Sequence, residues 1–128
     1  NLLIGTQNGW IYEYELNENK LSYINRTLSH KSEITDLYYD AINKKIYSAS
    51  IDGSFTISPT NNNSSKNHNT YQKIIIKLGR KNQINAIGYT KHKNENYIIT
   101  VDKNGKMIYW DFNIDNLFNR IKKTIKSK

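Results

Sequence analysis

Two stretches of this chain repeat one pattern of offsets. "HKSEITDLYY" places Ile34, Leu37 and Tyr39 four, seven and nine positions after His30. "RKNQINAIGY" places Ile84, Ile87 and Tyr89 at the same offsets from Arg80. Each stretch is followed by a turn signal, Asp52-Gly53 in "IYSASIDGSFTISPT" and Asn104-Gly105 in "YIITVDKNGKMIYWDF". A third signal, Asn8-Gly9, lies in "LLIGTQNGWIYEYEL". Asn-Gly and Asp-Gly favour the positive φ values of a type I′ hairpin turn. Period-two alternation beside the turns (Ile11, Glu13; Phe55, Ile57; Met107, Tyr109) argues for antiparallel strands.

The spacing of these hairpins decides between an accident and a repeat. Gly9, Gly53 and Gly105 lie 44 and 52 residues apart, and repeat propellers run at roughly 40–45 residues per unit. The second interval is lengthened by "NNNSSKNHN", an Asn-rich insertion whose composition predicts an unstructured loop over 60–70, at the end opposite the turns. Each unit then reads as an inner strand (33–39, 83–89), two hairpin strands (44–50 and 54–58; 96–101 and 106–111) and an outer strand (21–28, 71–78, 117–121). The tail is also open to a second reading. Ile114, Leu117, Phe118, Ile121 and Ile125 fall near helical spacing, with a basic opposite face suited to a partner or a membrane surface; the strand is the favoured alternative.

The chain resembles a fragment of a WD40-repeat β-propeller, an all-β fold of antiparallel four-stranded blades. In that family a His before the inner strand, a Ser or Thr on the second strand, an Asp in the hairpin turn and a Trp-Asp ending the third strand form a structural tetrad. The resemblance implies that His30, Ser48 or Ser50, and Asp52 fill these roles in one repeat, where Ser58-Pro59 replaces Trp-Asp. In the next it implies Thr100, Trp110 and Asp111, with Asp102 or Asn104 in the turn, while Arg80 stands where His belongs. It covers residues 1–121: the C-terminal strands of a first blade over 1–29, a second blade over 30–78, a third over 79–121, and a basic tail over 122–128. Since propellers close with about 4–8 blades, the remaining blades would belong to the same parent protein. The opening Asn1-Leu2-Leu3-Ile4, which lacks Met, suits a piece of a longer chain. A finer resemblance is to WD40–FYVE domain proteins, through "VDKNGKMIYWDFNID" following "INAIGYTKH" and the alignment of 2–16 and 28–57 with preceding blades. That family carries a zinc-binding FYVE domain that reads phosphatidylinositol 3-phosphate on endosomes; nothing of that domain lies in these 128 residues.

Composition narrows the chemistry. With no cysteine there is no disulfide, thiol nucleophile or Cys-type zinc site. Apolar runs such as Ile74-Ile75-Ile76 are too short to span a membrane as a helix. Net charge is +8, a balance that can mean nucleic acid or an anionic membrane. The lysines are scattered, however, and codon bias in an Asn-, Ile- and Lys-rich chain accounts for many of them. His30, His68 and His92 have no second ligand at metal spacing. Glu13 and Glu15 read as a solvated strand face, and the strand tyrosines as blade packing rather than a base-stacking surface for RNA.

The expectation is therefore a non-enzymatic interaction scaffold, with no catalytic residue, cofactor or metal. Its docking face would gather Gln7, Asn8 and Trp10 from the first blade, Lys31, Ser32 and Ile51 from the second, and Arg80, Lys81, Asn82, Lys103 and Asn104 from the third. Such a polar, basic edge suits a protein or peptide partner, above all an acidic one; nucleic acid or an anionic membrane is the alternative. The expected location is intracellular and cytoplasmic, with endosomal association following from the finer resemblance.

Overall fold

The computed structural model describes residues 1–60, 73–111 and 120–126. The chain forms three antiparallel sheets, each built from strands consecutive in sequence. The first holds β1 (Leu2–Gly5), β2 (Trp10–Asn17) and β3 (Lys20–Leu28). The second holds β4 (Ile34–Asp40), β5 (Lys45–Ser50), β6 (Ser54–Pro59) and β7 (Ile74–Lys77). The third holds β8 (Ile84–His92), β9 (Glu95–Asp102), β10 (Lys106–Asp111) and β11 (Arg120–Lys126).

The equal offsets in the sequence become equal registers. Leu37 lies opposite Ser48, which lies opposite Thr56; in the third sheet Ile87, Thr100 and Ile108 take the same positions. Both inner strands carry an irregularity at the same place, between Ile34 and Asp36 and between Ile84 and Ala86.

The turn chemistry differs from the expectation. Gly9, Gly53 and Gly105 have φ of 87°, 80° and 81°, but Asn8, Asp52 and Asn104 are absent from the positive-φ residues. Each glycine N–H instead reaches back three residues to a carbonyl, that of Thr6, Ser50 or Asp102. These are three-residue hairpins with a left-handed glycine after the turn, which tolerate Asn or Asp before the glycine equally well. Two-residue turns of the primed kind occur at Glu18-Asn19 and Lys93-Asn94, whose φ values are all positive.

The apolar core sits between the second and third sheets. Tyr47, Ala49, Phe55 and Ile57 of one meet Ile84, Ile87, Ile98, Ile108 and Trp110 of the other, with Ile74 and Ile76 packed against them. Phe55 and Trp110 rings lie 5.0 Å apart between centroids. Because side chains alternate along a strand, the opposite face of the second sheet presents Ser48, Ser50, Ser54, Thr56 and Ser58. All five are buried, on the side of Ile11, Glu13, Asn25 and Thr27 of the first sheet. One interface is thus apolar, and the other is lined with hydroxyls.

Three expectations change. The outer strand of the third sheet is β11 (Arg120–Lys126), so residues 122–126, expected as a free basic tail, lie in a strand paired with β10. The same pairing replaces the helical alternative over 120–126. Glu13 and Glu15 do not share a solvated face: an irregularity follows Glu13, which is buried and accepts a hydrogen bond from Asn1 at 2.8 Å, whereas Glu15 is exposed. The Asn-rich insertion from 61 on, His68 within it, and 112–119 lie outside the described residues. Among the described residues, no helix is long and apolar enough to cross a membrane.

Candidate functional site

The hairpin turns and the segments before the inner strands converge on one end of the sheets, where backbone hydrogen bonds tie them together. Ile34 N–H donates to the Thr6 carbonyl at 3.1 Å, and Ile51 N–H to that of Glu33 at 3.1 Å. Lys103 N–H donates to the Gln83 carbonyl at 2.9 Å. Within a blade, at the ends of the β2–β3 and β6–β7 pairings, Gly9 O accepts from Ser29 N–H at 2.9 Å, and Gly53 O accepts from Leu78 N–H at 2.7 Å. A Cβ on Gly9 would land on the His30 carbonyl and one on Gly53 on the Gly79 carbonyl, so both turns require glycine for closeness as well as for φ.

On this end Gln7, Asn8, Lys31, Arg80, Lys81, Lys103 and Asn104 are exposed. Ser32, Ile51 and Asn82 are half-buried, and the Asn82 side chain donates to the Leu78 carbonyl at 2.7 Å. Arg80, Lys81 and Asn82 form a single 3-10 turn. Trp10 is also half-buried, with the Arg26 guanidinium 4.7 Å from its ring centroid. One face of that indole is therefore already occupied by a cation.

Beneath the second blade's loops lies a directed chain of hydrogen bonds. The His30 ring is buried, Nδ1 at 2.7 Å from Ser54 Oγ and Nε2 at 2.8 Å from Ser48 Oγ. Ser54 Oγ also donates to Asp52 Oδ1, and Ser48 Oγ meets Thr56 Oγ1. An ionised carboxylate only accepts, so the direction is fixed from that end. Ser54 gives its proton to Asp52 and accepts from His30 Nδ1–H; Nε2 then accepts from Ser48, and Ser48 accepts from Thr56. The imidazole is neutral in this arrangement. Burial pushes its pKa down to about 4, against the opposing pull of Asp52 and with a smaller push from Lys73. Burial alone would raise Asp52, but hydrogen bonds from the Ser54 side chain and from the Lys31 and Ser54 N–H groups outweigh it and hold the carboxyl below its ordinary range.

Ser50 is not in this chain: its hydroxyl donates to the Glu33 carbonyl at 2.7 Å. In the third blade, Trp110 Nε1 donates to Thr100 Oγ1 at 3.0 Å, with both residues buried. The strand position of Trp110 is held by Ser58 in the second blade, and there Thr56 serves Ser48 in place of an indole. Asp102 rather than Asn104 acts in the third turn, accepting from Asn104 and Lys106 N–H groups at 2.9 Å each. Arg80 is exposed on the loop face. Of Asp111 the backbone is described: it pairs with Tyr97 and Arg120. These contacts are structural in kind, and among the described residues no group of three or more His, Cys, Asp or Glu side chains is placed to hold a metal ion.

The cleft beside this end was missed in the sequence. It joins Leu28, Ser29, Lys31, Lys73, Ile75, Lys77 and Arg80, drawn from three segments, and only the alternation Lys73-Ile75-Lys77 could have signalled it.

No family model matches the sequence, and no curated protein matches it. The structure is similar to the crystal structure of Sqt1 from Chaetomium thermophilum, with a TM-score of 0.65 and 11% sequence identity, over 98% of this chain and 32% of that chain. A chain in a crystal structure of the mitotic checkpoint complex gives a TM-score of 0.46 at 13% identity, over 98% of this chain and 50% of that one. The present chain therefore spans 32% of the length of the Sqt1 chain. The fold is a partial β-propeller of antiparallel WD40-type blades.

Proposed function

We propose that this protein is a non-enzymatic scaffold that docks acidic protein or peptide partners on the loop face of its propeller. One observation carries the reading: backbone hydrogen bonds join the loops of the first and second blades and brace the loops within the second and third, and the loops hold Lys31, Arg80, Lys81 and Lys103 out to solvent. Rigid elements presenting irregular loops are a common basis for recognition. Scattered cations on such a face steer and select acidic partners more than they add affinity.

The test is hydrogen-exchange footprinting of the whole protein with poly-glutamate. Protection is expected at 30–33, 80–83 and 103–104. The turn at Ala41–Lys44, at the far end of the second sheet, should be unaffected. Protection confined to that far turn, or none anywhere, defeats the reading.

The same cations support a second reading, an adaptor on an anionic membrane or nucleic acid. The motif likeness to WD40–FYVE domain proteins would give it an endosomal setting. RNA or phosphatidylinositol 3-phosphate vesicles that bind in place of poly-glutamate would favour it. Binding to RNA should fall steeply between about 50 and 200 mM salt.

A further inference from the structure

A cleft of about 600 Å3 opens beside the loop face, between the first and second sheets. One wall is the outward side of β7. Lys73, Ile75 and Lys77 line the cleft, while Ile74 and Ile76 turn toward the core. The other wall is Leu28, at the end of β3, and the rim carries Lys31 and Arg80. Ser29 and His30 also line it.

The charge in this cleft is one-sided. Lys31, Lys73, Lys77 and Arg80 face a single carboxylate, that of Asp52, which already accepts from Lys31 and Ser54. Lys73 reaches across the cleft to the Leu28 carbonyl at 2.8 Å. That bond uses one of its three ammonium protons. Leu28 and Ile75 remain 52% and 46% exposed. Apolar walls flanked by cations suit a peptide, since a bare phosphate would use only the cations.

We infer that this cleft binds an extended acidic peptide segment. A carboxylate of the ligand accepts from Lys73 Nζ, Lys77 and Arg80 flank it, and an apolar side chain of the ligand lies between Leu28 and Ile75. The inference rests on the scaffold reading above and narrows it to one cleft and one ligand chemistry.

The experiment measures fluorescence anisotropy of a fluorescein-labelled peptide of alternating Glu and Leu, titrated with the whole protein. The Glu/Leu peptide should bind and its Gln/Leu counterpart should not. Lys77→Glu should weaken binding about tenfold. Lys77 is exposed, so the substitution should leave the fold intact. Lys103→Glu, on the loop face outside the cleft, should change affinity less than about twofold. Binding lost on Lys103→Glu but unchanged by Lys77→Glu overturns the cleft while leaving the scaffold intact. Failure of the Glu/Leu peptide to bind, alongside phosphatidylserine vesicles that bind and are released by Lys77→Glu, overturns the peptide in favour of a lipid surface.

Discussion

At the scale of single residues, His30 is the group whose chemistry reaches furthest. Its imidazole is held neutral between two hydroxyls, with a pKa pushed down to about 4. Between that value and the ordinary 6.5 the unfolded chain binds a proton that the folded one refuses. Stability from this group is therefore complete above about pH 6.5 and is lost as pH falls toward about 4. Asp52, whose pKa is held low, adds a loss in the same direction at more acid pH. Urea midpoints should fall between pH 7 and pH 4.5, and His30→Leu should flatten that part of the profile. At pH 7 the variant should be less stable by about 3 kcal/mol, because the buried Ser48 hydroxyl loses the acceptor of its proton and Ser54 loses the donor to its oxygen. A profile unchanged in His30→Leu would mean that another group titrates. The sequence left Ser48 and Ser50 as equal candidates because both sit two apart on the same strand face. Register, a tertiary property, puts Ser48 beside Thr56 and the imidazole.

At the scale of elements, the glycine turns separate backbone strain from steric contact. Gly53 and Gly79 both have positive φ, 80° and 91°. A Cβ on Gly79 meets nothing within 4 Å, whereas one on Gly53 falls on a neighbouring blade's carbonyl. Gly79→Ala should cost about 1–3 kcal/mol from its positive-φ extended conformation (φ 91°, ψ 159°), which is essentially confined to glycine. Gly53→Ala should cost a further 1–3 kcal/mol or so from overpacking. Denaturant midpoints that coincide for the two variants would show that the turn yields. Hairpins were legible in the sequence because turn residues and alternation are local. The turn type was not, since Asn-Gly also serves a hairpin that ends in a left-handed glycine. The outer strand at Arg120–Lys126 was displaced from the expected 117–121 because "NLFNRIKKTIKSK" has neither Gly nor Pro to fix its start.

At the scale of the whole molecule, the two interfaces between blades differ in kind. The apolar one joins the second and third sheets, and its strength changes little with pH. The hydroxyl-lined one joins the first and second sheets and contains the His30 chain. Acid should therefore loosen the protein on one side first. Hydrogen exchange at pH 5 should accelerate in β2 and β6 before it does so in β9 and β10; simultaneous acceleration would make the three blades one cooperative unit. Asp36 adds a polar tie across the apolar interface, accepting from Ile87 N–H at 2.9 Å. The cleft proposed above was hidden from the sequence for a reason of the same scale: Leu28, Lys73 and Ile75 are strangers in the chain until two sheets stand side by side.

The glycine carbonyls also set a direction in time. Gly9 O receives the N–H groups of Ser29 and His30, the link that leads out of the first sheet into the second; Gly53 O receives Leu78, which leads into the third. Among the described residues, no such bond runs the other way between these turns. A chain synthesised from its N-terminus thus completes each acceptor, Gly9 or Gly53, before the donor that fills it.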